Sequence, residues 1–218
     1  ERRRNGPMRS DQEERDDLIK TMQFLHSRGW CDGTGGNFSV RLAHHPLHLL
    51  MAPSGVDKGS VNAEDLIVVD ADGAVLEGNG RASAETELHL CIMSSVAAGA
   101  VLHTHSVAAT VLSRVHRRDG CIQLEGWEML KGLNGIQSHE TTLALPVVAN
   151  NQDMQQLSNA VRPHLNDTTR GILVAGHGLY AWGDNLEQAR HHVEIIEFLL
   201  SAHLQYQQLR TMTNKTDS

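Results

Sequence analysis

The feature that most constrains this chain is an apolar run that ends in two alternate histidines. Residues 97–102 read AAGAVL, and His103, Thr104 and His105 follow directly. The run is typical of a buried β-strand, in which successive side chains point to opposite faces. The two imidazoles therefore project from the same face of the strand end. Neutral imidazole at such a place is a good zinc ligand.

A zinc site needs at least one further protein ligand, and His177 is the best candidate. It lies in a glycine-flanked turn, AGHGL, directly after a second apolar strand at residues 171–174. The alternative is structural, because the chain has 14 histidines and an isolated His-x-His pair more often has no metal. An unpaired polar group at the end of a buried strand is costly, which favours the metal.

Length and charge limit the class of protein. The chain has 218 residues, which suits one α/β domain, and its net charge of -7 argues against nucleic acid or anionic membranes as main partners. No apolar run is long enough to span a bilayer. Three widely spaced cysteines, Cys31, Cys91 and Cys121, form no disulfide framework and indicate the cytoplasm. We expect a single domain over 1–218, flexible at about 1–9 and 212–218.

Hydrophobic periodicity predicts a helix at each end of the chain and a hairpin between them. The first helix is capped by Ser10 and stops at Gly29. Residues 38–42 and 47–51 are predicted to form the hairpin, joined through 44–46. The last helix runs to about Arg210.

Three polar turns contain groups suited to a phosphate. One is the glycine-rich turn 32–39, the second is 52–59, and the third precedes a helix that starts near residue 85. Free amides at a helix N-terminus attract anions, although Ser83 could equally serve only as the cap of that helix. The candidate phosphate-binding residues are Gly36, Asn37, Ser54, Gly55, Ser83 and, as a helper, Lys58.

A later segment contains two acids. Glu125 is expected on the surface, whereas Glu128 lies among Trp127, Met129 and Leu130. An apolar setting of this kind is predicted to raise the pKa of Glu128 for proton transfer. The alternative is a surface ion pair with Lys131 at helical spacing.

Four motifs together resemble the class II aldolase/adducin family. They are GGNFS at 35–39, APSG at 52–55, SAE at 83–85 with HTHS at 103–106, and GHG at 176–178. The resemblance implies a three-layer α/β/α fold around a central, mainly antiparallel sheet. It also implies a homotetramer with sites near subunit interfaces, and one zinc ion per subunit held by His103, His105 and His177.

Within that family, the stretches APSGVDKG, WEMLKG and HGLYAWG look most like the branch that dehydrates 5-methylthioribulose 1-phosphate in methionine salvage. That resemblance implies that Glu128 is the catalytic acid/base. It implies that Glu85 is a substrate-side or auxiliary metal-side residue.

Two other functions stay open. The first is a sugar-phosphate aldolase of the fuculose- or ribulose-phosphate type, in which Glu85 would be the base. The family's aldolase motif has a second serine where this chain has Ala84, which weakens that alternative. The second is a non-catalytic adducin-like interaction domain, which would not need three intact histidine ligands.

Overall fold

A central sheet dominates the computed structural model, which describes residues 11–43, 47–165 and 169–216. The strands within these residues are β1 (Asn37–Ala43), β2 (His48–Met51), β3 (Ile67–Val69), β4 (Val75–Glu77), β5 (Ala100–Thr104), β6 (Cys121–Leu124), β7 (Leu143–Val148), β8 (Gly171–Val174) and β9 (Gly178–Gly183). Their order in the sheet is β4-β3-β2-β1-β5-β9-β8-β7-β6. All neighbouring pairs are antiparallel except β7 with β8. The expected mainly antiparallel sheet is confirmed.

Helices cover both faces of the sheet. They are α1 (Asp11–Ser27), α2 (Thr86–Val96), α3 (Val107–Val115), α4 (Met154–Val161) and α5 (Leu186–Thr216), with short 3-10 helices at Ala63–Asp65, Glu128–Gly132 and Arg162–His164. One core joins the sheet to α1, α3 and α5, and a second core joins it to α2 and α4. The fold is therefore the expected three-layer α/β/α arrangement. None of the helices in the described ranges is long and apolar enough to cross a membrane.

Strand β5 shows why the apolar run is continuous. Leu102 packs into the core of α1, α3 and α5, while Val101 packs into the opposite core. A strand with helices on both faces needs apolar side chains on both, so the alternation of a half-exposed strand is absent. The run ends at Leu102, and the histidines begin with His103, which is itself fully buried.

Three further expectations concern the ends and the hairpin. The predicted hairpin is present, with Val40 of β1 opposite Leu50 of β2, but its joining residues 44–46 lie outside the described part. Helix α1 ends at Ser27, before Gly29, whereas Ser10 and residues 1–9 also lie outside it. The predicted end of α5 near Arg210 is wrong, because the helix continues to Thr216. No glycine or proline follows Arg210 to stop it.

We predict that Gly183→Ala lowers the free energy of unfolding by about 3 kcal/mol, because a Cβ there would overpack the start of α5. The added atom would lie 2.4 Å from the Ala189 nitrogen. Urea denaturation followed by circular dichroism measures the change. Gly126→Ala is the control, since Gly126 has no heavy atom within 4 Å of such a Cβ and only its φ of +76° opposes alanine. That control should lose about 1 kcal/mol; equal losses in both variants would contradict the close approach.

Candidate metal centre

Three imidazoles and one carboxylate converge at the end of the central strands. His103 Nε2 lies 2.7 Å from His105 Nε2 and 3.2 Å from His177 Nε2. Glu85 Oε1 lies 2.9 Å from His177 Nε2. One ligand atom from each of the four residues lies within 4.8 Å of the others. The three histidines that the sequence singles out thus meet at one point, and Glu85 joins them.

Strand β9 orients the most buried ligand. The Nδ1 atom of His103 lies 2.8 Å from the carbonyl oxygen of Leu179. Because a carbonyl only accepts, Nδ1 must donate, and the lone pair of Nε2 is left for the cluster. The ring also stacks on Tyr180, with centroids 3.8 Å apart and an interplanar angle of 8°.

Helix α3 holds the turn that contains His177. The Thr110 hydroxyl donates to the His177 carbonyl oxygen at 3.1 Å, and the Gly176 amide donates to Ser113 Oγ at 3.0 Å. Gly176 has a φ of +68°, a conformation that glycine adopts without strain. The sequence AGHGL therefore forms a fixed turn that directs the imidazole towards β5.

Glu85 enters the cluster from the start of α2. Its Oε2 atom accepts a hydrogen bond from the Asn37 side chain. Burial acts to raise the Glu85 pKa, but the hydrogen bond with His177 and the charges of the neighbouring imidazoles lower it to about 2. Glu85 is therefore an anionic member of the cluster, and its role on the substrate side or the metal side stays a prediction.

The donor set fits a transition-metal ion. Burial lowers the pKa of His103 well below its usual value and also lowers that of His105, so both imidazoles are neutral at pH 7. The Nε2 lone pair of His103 faces the ring nitrogens of His105 and His177, an arrangement that a bound cation would stabilise. Three imidazole nitrogens and one carboxylate oxygen are ligands that zinc accepts. The cluster therefore suggests a metal site.

Glu128 lies elsewhere. It begins the 3-10 helix Glu128–Gly132, its side chain is 71% exposed, and its Oε1 lies 2.6 Å from Lys131 Nζ. Its pKa is lowered by that hydrogen bond, so the predicted rise is wrong. Trp127 and Leu130 turn into the core, whereas Glu128 points out with Lys131. The surface ion pair, weighed as the alternative, is what the structure has.

The predicted phosphate turns lie next to one another. The Ser54 amide donates to the Arg81 carbonyl oxygen, which joins the second turn to the segment before α2. In that segment Ser83 Oγ accepts from the Glu85 amide at 3.3 Å, but Glu85 is the N-cap of α2 and no side chain caps the helix, so the capping role weighed for Ser83 is wrong. A Cβ on Gly36 would lie 2.8 Å from the His103 carbonyl oxygen, so the first turn approaches β5 closely. Gly55 has a φ of +82° at the tip of the second turn.

Lys58 links two of these turns. Its ammonium group donates to the carbonyl oxygens of Thr34 at 3.1 Å and Val56 at 2.9 Å, and its side chain is buried. The predicted contact of Lys58 with phosphate stays a prediction. The sequence analysis did not predict this bridging role of Lys58. It also did not predict that Tyr180 packs against the cluster; the only signal in the sequence is that Tyr180 follows His177 by three residues.

The fold and the cluster define an α/β protein of the class II aldolase type with a candidate metal site. A family model described as "Class II Aldolase and Adducin N-terminal domain" matches residues 16–204. The chain therefore belongs to the class II aldolase/adducin family.

Curated relatives carry one name. A methylthioribulose-1-phosphate dehydratase of Xanthomonas campestris pv. campestris (strain 8004) is 44% identical over 196 residues, covering 89% of each chain. One of Serratia proteamaculans (strain 568) is 43% identical over 191 residues, covering 86% of this chain and 92% of the relative. Among solved structures, an L-fuculose-1-phosphate aldolase from Thermus thermophilus has a TM-score of 0.74 and 25% identity, covering 91% of this chain and 98% of its own.

We predict that Lys58→Met lowers the free energy of unfolding by about 3 kcal/mol, because two carbonyl oxygens, those of Thr34 and Val56, lose the charged donor of a buried side chain. Amide hydrogen exchange in residues 32–36 and 54–57 should also accelerate as the turns separate. Lys20→Met is the matched control, since Lys20 is exposed and pairs only with Asp17 among the contacts found for it. If both variants behave alike, Lys58 does not hold the turns.

Proposed function

We propose that this chain catalyses the zinc-dependent dehydration of 5-methylthioribulose 1-phosphate to 2,3-diketo-5-methylthiopentyl 1-phosphate, a hydro-lyase reaction of methionine salvage. One observation carries the proposal: the chain is 44% identical over 89% of its length to a methylthioribulose-1-phosphate dehydratase. The region matched by the family contains the whole His103, His105, His177 and Glu85 cluster.

His103, His105 and His177 would hold one zinc ion, with Glu85 as an additional ligand. When bound, zinc supplies a Lewis acid that polarises the substrate carbonyl and acidifies the neighbouring C–H bond. The chain's own contribution is a partly buried set of donors. The imidazoles of His103 and His105, whose pKa values are lowered by burial, need no proton loss before they bind the ion.

The phosphate group would bind at the three adjacent turns. Amides of the glycine-rich turn and of the start of α2 suit an anion, and hydroxyl groups of the other turns add donors. The residues proposed to bind the phosphate are Gly36, Asn37, Ser54, Gly55 and Ser83. Lys58 would hold two of the turns together and place its positive charge near the phosphate. Binding there would place the substrate's second and third carbons next to the cluster.

Glu128 is the proposed acid/base. It would take the proton from C3 and deliver a proton to the departing C4 hydroxyl, so that water leaves and the carbon chain stays intact. Ketonisation of the resulting enol gives the diketone. Glu85 suits this role less, because its carboxylate is bound to His177 and Asn37.

An exposed carboxylate such as that of Glu128 would reach substrate at a subunit interface. We therefore join this assignment to the proposal of a homotetramer with sites near such interfaces. An exposed apolar stripe on α3 supports an assembly, since Val107, Val111 and Val115 repeat at every fourth residue. We also propose the cytoplasm as the location, which the three free cysteines support.

The first test is the mass of the product. Zinc-loaded protein given 5-methylthioribulose 1-phosphate should yield a product lighter by one water, with its carbon chain intact. A three-carbon phosphate fragment would instead establish an aldolase with Glu85 as base. A metal-bound protein that leaves the compound unchanged would rule out this substrate.

The second test separates the two acids. Glu128→Gln should retain zinc and lose at least about 100-fold in kcat, because general acid/base catalysis contributes that much. Glu125→Gln is the matched control, since Glu125 is exposed nearby and binds only the Thr142 hydroxyl among its described contacts. Near-normal turnover by Glu128→Gln with bound metal would contradict its role.

A further inference from the structure

A buried carboxyl group lies on the opposite side of β5 from the metal cluster. Glu197 of α5 is fully buried, and the Thr104 hydroxyl donates to its Oε1 at 2.5 Å. The Ser106 hydroxyl also approaches this carboxyl group. Burial raises the pKa of Glu197 to about 7. None of the steps proposed above uses this group.

The alternation of the strand explains the arrangement. His103 and His105 point to the cluster, while Thr104 and Ser106, between and after them, point to Glu197. The His105 amide, just after β5, donates to the Trp30 carbonyl oxygen at 2.7 Å, which fixes the backbone between Thr104 and Ser106. His103 and His105 are thus each followed directly by a residue whose hydroxyl group is near the carboxyl group.

The same carboxyl group connects to the third histidine through α3. Ser106 is the N-cap of α3, and its Oγ accepts from the Ala109 amide at 3.0 Å. One turn further on, Thr110 donates to the His177 carbonyl oxygen, and Ser113 accepts from Gly176. Any shift at Ser106 would therefore move the helix that clamps the His177 turn.

A carboxyl group buried in this position is energetically unfavourable. Burying it is unfavourable unless its partners are well placed, and a leucine of similar volume would pack against the surrounding apolar side chains. Its Oε2 atom has no hydrogen-bond partner within the described residues. The stability of the fold alone does not account for it.

We propose that Glu197 is a positioning residue of the metal site, which fixes Thr104 and Ser106 and thereby the directions of His105 and His177. The inference rests on the metal site proposed above. It concerns metal affinity and coordination geometry, whichever substrate is used. Residues that orient metal ligands from behind typically change metal affinity 10- to 100-fold when removed.

The test measures metal binding to the full chain without substrate. Zinc affinity is determined by competition with a chromophoric chelator, and the visible spectrum of the cobalt(II) form reports the coordination geometry. Glu197→Leu should weaken zinc binding by at least about 10-fold and alter the cobalt spectrum. Glu197→Gln keeps an acceptor for Thr104 and should stay within about 3-fold of the original chain, a rescue that mere loss of packing would not give.

Two further variants guard against misfolding. Thr104→Val removes the donated hydrogen bond while keeping the side-chain shape, and it should weaken zinc binding by about 5-fold or more in a protein with unchanged circular dichroism. Glu194→Leu is the control, one turn earlier on α5 and paired with Arg190 at the surface. It should bind zinc as the original chain does.

Folded Glu197→Leu and Thr104→Val proteins with unchanged zinc affinity and cobalt spectrum would overturn the inference. If Glu197→Leu does not fold, the zinc affinity and cobalt spectrum of Thr104→Val alone test the inference. A chain that binds zinc but leaves 5-methylthioribulose 1-phosphate unchanged would refute the proposed reaction and leave this test intact. A chain that binds no metal would overturn both.

Discussion

The pairing of β5 between β1 and β9 is the constraint on which the rest of the structure depends. Because β5 is bonded on both edges and covered on both faces, its polar side chains can only lie at its end. The register then sets His103 beside Asn37 on one strand and Tyr180 on the other. The cluster therefore forms at the end of a strand that is paired on both edges, which favours ligands that are already positioned before a metal binds.

Charge balance explains why an acid belongs in the cluster. Three neutral imidazoles alone would leave a bound dication with its full charge in a partly dry site, whereas the Glu85 carboxylate neutralises half of it. The carboxylate in turn is stabilised by its neighbours. Asn37 donates to Oε2, and His177 lies at hydrogen-bond distance from Oε1, where the two groups could also share a cation. Each part of the cluster makes the burial of the others less costly.

The residues that the sequence predicts correctly are those whose positions depend only on short-range patterns. A histidine pair at a strand end and a histidine between glycines need only strand alternation and turn chemistry, so His103, His105 and His177 could be found without the fold. Contacts across long separations could not: Asn37 meets Glu85 48 residues away, and the Lys58 ammonium group reaches back 24 residues to Thr34. The errors have a physical cause as well. The apolar neighbours of Glu128 said nothing about its own direction, because in a 3-10 helix side chains three apart align, and here that places Glu128 beside Lys131 in solvent.

Two carboxyl groups on opposite sides of β5 have opposite environments. Glu85 faces imidazoles and an amide donor, and its pKa falls to about 2; Glu197 faces two hydroxyl groups inside the core, and its pKa rises to about 7. Two carboxyl groups whose surroundings give them different pKa values are suited to different roles. The ionised carboxylate can serve as a metal ligand, whereas the buried one is suited to hold neutral donors in place. The end of β5 thus joins the two environments, since His103 faces the cluster and Thr104 donates to Glu197.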